Sequence, residues 1–120
     1  AGLAKGASGA IAASANIAPE LGVGIFENFL WGDMNKSLEF QQRLAPLRLA
    51  FRLGTFPAML KAGAELLGLP AGPPRAPVGR LPAAQRQQLR DILVQMGKIE
   101  AGRREPVVEY HEPAGVPQPV

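Results

Sequence analysis

Residues 6–14, GASGAIAAS, constrain this chain more than any other stretch, because they form a short apolar run bounded by glycines with only Ser8 and Ser14 polar. At this length, periodicity alone does not separate a buried strand from a buried helical segment. The flanking glycines and the break from Asn16 to Pro19 favour a short strand buried on both faces, the pattern of parallel sheets. A strand of that kind needs neighbours for its N–H and C=O groups. Everything after Pro19 reads as helix or connector, so the run has no partner in its own chain. The expectation is an incomplete parallel fold. The start at Ala1, in mid-pattern and without Met, is read the same way, as truncation or processing.

Four helices are expected. Pro19 suits a first helical position, where its missing N–H costs nothing, and Glu20 lies near the positive end of the helix dipole. Leu21, Ile25 and Phe29 recur every four residues, with Phe26 and Leu30 widening the stripe. Gly22 and Gly24 each weaken this helix by roughly 1 kcal/mol relative to Ala, which calls for close packing against a neighbour. Gly32 ends it and Asp33 can cap the next. A second helix is expected from Met34 to about Leu53, with Phe40, Leu44, Leu47 and Phe51 inward and a kink at Pro46. Thr55 caps a third, with Pro57 in its first turn and a buried face of Phe56, Leu60, Gly63 and Leu67. After the proline-rich connector 70–81, Pro82 opens a fourth, whose stripe is Leu89, Ile92, Leu93 and Met96.

Composition narrows the chemistry. The chain has no cysteine, which excludes disulfides, thiolate metal sites and a thiol nucleophile, and fits a cytoplasmic protein. Thirteen Lys and Arg against ten Asp and Glu give +3, scattered over helix faces and the tail. Nucleic-acid binding needs a clustered basic stripe with stacking aromatics, and neither is present. No apolar run is long enough to cross a membrane as a helix.

A Schiff-base lysine must be buried enough to lose its proton near neutrality. Lys36 and Lys98 sit among polar neighbours, Lys61 faces Glu65 one turn on as a surface pair, and Lys5 precedes the expected strand at the end away from a barrel's active face. His111 stands between Glu109 and Glu112 in a tail that cannot hold metal geometry, so no metal site is expected. Gly6-Ala7-Ser8-Gly9 lacks the Lys-Ser/Thr of a phosphate loop, and close strand packing accounts for its glycines. No catalytic residue is assigned within the chain, and no cofactor is expected.

Four segments in order carry a resemblance: GASGAIAASANIAPE (6–20), GDMNKSLEFQQRLAPL (32–47), GTFPAMLKAGAELLGLPAGPPRAPVGRL (54–81) and a helix ending at Gly97. The most telling elements are G-x-x-G-x-I followed by A-N-x-x-P, R-L-x-P-L, F-P-x-x-L-K and R-x-P-V. Over residues 3–97 the chain resembles the C-terminal third of the dihydrodipicolinate synthase / N-acetylneuraminate lyase family. That resemblance implies class I, Schiff-base-forming aldolases and lyases on a (β/α)8 TIM barrel with an added C-terminal helical region. The fold class implied is mainly α as it stands, four helices plus one short β-strand, from the C-terminal fragment of an α/β barrel. The corresponding division is 1–32 for the last strand and helix of the barrel, 33–97 for the helical region and 98–120 for a flexible proline-rich tail.

The family's lysine, which condenses with pyruvate or another 2-oxo acid, and its proton-relaying tyrosine lie on earlier strands. Tyr110, the only tyrosine, falls beyond the match. One position carries over: Ile11 matches the residue whose backbone carbonyl lines the 2-oxo acid pocket, although barrel core is an equal reading of its side chain. Relatives that handle sialic acid have a polar residue where this chain has Ala13. The resemblance therefore implies dihydrodipicolinate synthesis from pyruvate and an aspartate-derived semialdehyde first, and a 4-hydroxy-2-oxoglutarate or sugar-acid aldolase second, in a homo-oligomer. A reading of another class is a small helical interaction module without catalysis, its first segment an extended arm. A strand-end lysine and a tyrosine upstream would discriminate between the two.

Overall fold

The computed structural model describes residues 1–108. Helix α1 spans Pro19–Leu30, with Pro19 in its first turn and Glu20 beside it. Gly32 stops the helix in the left-handed region at φ +80°, where a β-carbon would be strained, and donates its N–H to the Phe29 carbonyl at 3.1 Å. Asp33 then accepts from the Lys36 N–H at 2.9 Å and caps α2, Met34–Ala50. So short a turn folds α2 back along α1 as an αα-hairpin.

The hairpin is tight because of one residue. A β-carbon on Gly24 would lie 2.5–2.7 Å from three ring atoms of Phe40, so the helices approach as closely as glycine permits. Gly22 has open space around it, so the close approach is made by Gly24 alone. Two polar side chains inside the hairpin are satisfied locally. Asn28 donates to the Gly24 carbonyl at 2.7 Å, and the Ser37 hydroxyl donates to the Ile25 carbonyl at 2.8 Å. The inward face of α1 is therefore Leu21, Gly24 and Asn28 with Ile25 beside them. Leu30, placed on the stripe by spacing, is 64% exposed.

Helix α2 runs through Pro46 as one element and tightens into a 3₁₀ turn at Phe51–Leu53. Helix α3, Ala58–Leu66, is buried on nearly every side, from Ala58, Met59 and Leu60 through Ala62, Gly63 and Ala64 to Glu65 and Leu66. Its small residues let other elements reach its backbone. Phe56, expected on its buried face, is exposed instead. After the connector, Leu81 is buried, with its Cδ1 2.6 Å from where a β-carbon on Gly54 would sit, and α4 spans Ala83–Gln95. Ile17, Leu47, Met59, Leu66, Leu89 and Leu93 are the large side chains fully buried at the centre. Each removes enough apolar surface from water to stabilise the fold by about 1.5–3 kcal/mol.

The expected strand is not formed. Among the described residues there is no β-strand; residues 7–12 are exposed and without regular structure, and Ala13–Asn16 coil into a 3₁₀ helix. The reason is hydrogen bonding. Ala15 and Ile17 donate to the carbonyls of Ala12 and Ser14 at 3.0 Å, and Asn16 donates its side-chain amide to the Ala13 carbonyl at 2.9 Å. These short-range bonds satisfy the backbone where no ladder partner exists. Ile17 and Ala18, in what read as a break, are each 1% exposed and belong to the core.

Beyond Gly97 the chain turns back over the helices. Ile99 is 4% exposed, Arg90 donates to the Arg103 carbonyl, and Pro106 lies over Gly68. The remainder of the expected tail, with Tyr110 and His111, lies outside the described residues.

Candidate functional site

Ile11 sits in the exposed stretch ahead of the 3₁₀ helix Ala13–Asn16, with its side chain fully in solvent. Its neighbour Ala12 is extended, at φ −118° and ψ 115°, so the backbone there keeps a strand-like direction without a ladder. Ile11 is not among the residues that line the cavity between α3 and the connector.

None of the four lysines is buried. Lys5 and Lys36 are exposed, and Lys61 and Lys98 are half-buried. Lys98 donates to Glu20 Oε1 at 2.8 Å, which ties the end of α4 to the start of α1 across 78 residues of sequence. Partial burial pushes the Glu20 carboxyl up, but the hydrogen bond and charge of Lys98, a backbone hydrogen bond and the charge of Arg43 outweigh it. Glu20 titrates below its ordinary range.

Lys61 does not stand out in solvent as expected. Its ammonium donates to the Ala71 carbonyl at 2.6 Å, which fixes the start of the connector against α3. Glu65 is 9% exposed and faces the far side of the connector. Its Oε2 accepts from Arg86 Nη1 at 3.0 Å, and its Oε1 lies 3.7 Å from Arg80 Nη1. Arg86 uses its other donors on Glu105 Oε2, at 3.3 and 3.1 Å. Burial pushes the Arg86 guanidinium down, but Glu105 and Glu65 more than restore it, so it ends above its ordinary value. A cavity of about 240 Å³ lies against this cluster, between α3, the connector and the start of α4.

Spacing missed this cluster. Lys61 and Glu65 are one turn apart, so a local pair was the natural reading. The partners that bury Glu65 are 15 and 21 residues away, beyond a connector with no periodic signal. Among the described residues no group of three His, Asp or Glu converges to hold a metal ion, and no helix is long and apolar enough to cross a membrane.

Comparison with known proteins places this arrangement. The synthase of Thermotoga maritima, a dihydrodipicolinate synthase of known structure, superposes with a TM-score of 0.75 at 28% identity, covering 81% of this chain and 33% of that one. The helical fold is thus that of a part of a TIM-barrel enzyme. A family profile described as the Dihydrodipicolinate synthetase family matches residues 1–96, and the chain belongs to that family. The 4-hydroxy-tetrahydrodipicolinate synthase of Methanoculleus marisnigri is 41% identical over 95 residues, 79% of this chain and 33% of the relative. That of Methanothrix thermoacetophila is 36% identical over 102 residues, 85% and 35% respectively. The chain spans about a third of the length of the curated relatives it matches.

Proposed function

We propose that this chain is the C-terminal third of a lyase that forms a Schiff base with pyruvate or a related 2-oxo acid, with 4-hydroxy-tetrahydrodipicolinate synthase activity in the whole protein. One observation carries the reading: the family match runs through residues 1–96, while the relatives of that name are covered over only a third of their length. A lysine that condenses with a ketone must be held neutral by burial, and none here is buried. The nucleophile and the proton-relaying tyrosine are therefore assigned to residues upstream of this piece. Amine attack on the 2-oxo carbon releases water and leaves an imine, whose nitrogen draws electrons from the adjacent carbon.

In this reading residues 6–14 gain ladder partners from the rest of the barrel. The exposed Ile11 then turns its backbone carbonyl to the 2-oxo acid, at the strand end where barrel sites are built. The whole protein acts in the cytoplasm as a homo-oligomer, without cofactor or metal. Treating the longer protein with pyruvate and borohydride, then mapping the modified peptide, is the test. A reduced adduct on a lysine outside these 120 residues supports the proposal. A longer protein that turns over substrate without any trapped lysine would exclude it.

A further inference from the structure

The cavity between α3 and the connector belongs to none of the chemistry assigned above. It is lined from residues 58–86, so it shares nothing with the stretch that holds Ile11. Around its volume of about 240 Å³ stand three cations, Lys61, Arg80 and Arg86, against one carboxylate, Glu65. We propose that this cavity binds a small organic anion, a carboxylate or phosphate on a short apolar body, with Arg80 and Lys61 as its polar contacts.

The four charged groups have different duties. Arg86 is committed, because its guanidinium is shared between Glu65 at 3.0 Å and Glu105 at 3.1 Å. It builds the wall, its charge balanced by those two carboxylates. Arg80 is only loosely engaged. Its Nη1 pairs with Glu65 at 3.7 Å, longer than a hydrogen bond, and its side chain is 62% exposed, so its remaining donors face a ligand. Lys61 spends one N–H on the Ala71 carbonyl at 2.6 Å, which holds the ammonium in the lining and leaves its other donors available.

A guanidinium fork matches the two oxygens of a carboxylate or phosphate, and a neighbouring ammonium supplies a second charge-assisted contact. Ala62 and Leu81 give the site an apolar wall that suits a short hydrocarbon body. Pockets for larger ligands start at about 300 Å³, so this volume limits the occupant to a few heavy atoms beyond its acidic group.

The test is an amide NMR titration of the 120-residue chain with succinate and, separately, with n-propyl phosphate at constant ionic strength. Saturable shifts confined to residues 58–86 are expected with at least one probe, and the tighter probe identifies the acid. Arg80→Ala should weaken that binding about tenfold or more, the loss that goes with one hydrogen bond between charged groups. Lys61→Met should weaken it in the same direction. Arg75→Ala, exposed and outside the lining, should leave it unchanged. Shifts that fail to saturate with either probe overturn the proposal, as does an equal loss in Arg80→Ala and Arg75→Ala, which would mark general charge attraction.

Discussion

The Cδ1 methyl of Ile17 lies 2.5 Å from the point a β-carbon on Gly63 would occupy, so the segment ahead of α1 is locked into α3 by the absence of a side chain. Ile17 is 1% exposed and has no free direction in which to give way.

That contact and the α1–α2 approach make glycine substitutions diverge in sign. Gly63→Ala and Gly24→Ala should each destabilise the chain by about 1–3 kcal/mol, the usual result of forcing volume into a filled core. Gly22→Ala, with nothing within 4 Å, should stabilise it by about 0.4–1 kcal/mol through lower backbone entropy in the unfolded state. Urea midpoints of the three variants at unchanged m-value check the signs.

Removal of Arg86 should cost much more than removal of its outer partner. Arg86→Ala strips a 3.0 Å charge-assisted bond from Glu65, which is 9% exposed, and should cost about 1.5–3 kcal/mol. Glu105 is 46% exposed, and Glu105→Ala should cost no more than about 1 kcal/mol after solvent screening. Thermal unfolding of the two variants gives the ordering directly.

The Glu20–Lys98 clasp sets a pH dependence. Because the folded carboxyl titrates below its ordinary range, the unfolded chain takes up the proton first as the pH falls. The stabilisation is complete above the ordinary carboxylate range and is lost as pH drops through the lower, folded value. With Glu20 52% exposed, its size is that of a surface pair, about 0.2–1 kcal/mol. Lys98→Met should therefore lower stability at neutral pH and make little difference in strong acid. A constant difference at all pH values would remove the clasp from the account.

Much of the helical frame was readable from local signals. Asp33 before a helical pattern, Pro19 at a helix start and Gly32 past a helix end act within one turn, and the structure keeps all three. Leu44, Leu47, Leu89 and Leu93 were inward by spacing and are buried. The misreadings share a different cause. Residues 6–14 looked like a strand because composition reports burial, whereas a strand also needs an edge to pair with. Glu65 looked solvated because its partners are distant in sequence, and Ile17 looked like a break because its pocket is made by Gly63 on another helix. The role given to Ile11 rests on family resemblance, and in this chain its side chain is fully exposed.

The most direct measurement of the central claim is the intact mass of this 120-residue chain after incubation with pyruvate and borohydride. Lys5, Lys36, Lys61 and Lys98 are its only lysines, and each is exposed or half-buried, so none occupies the buried site that a condensing lysine requires. The expected result is an unchanged mass. A stoichiometric reduced adduct mapped to any one of the four would contradict the assignment of the Schiff-base lysine to residues outside this chain.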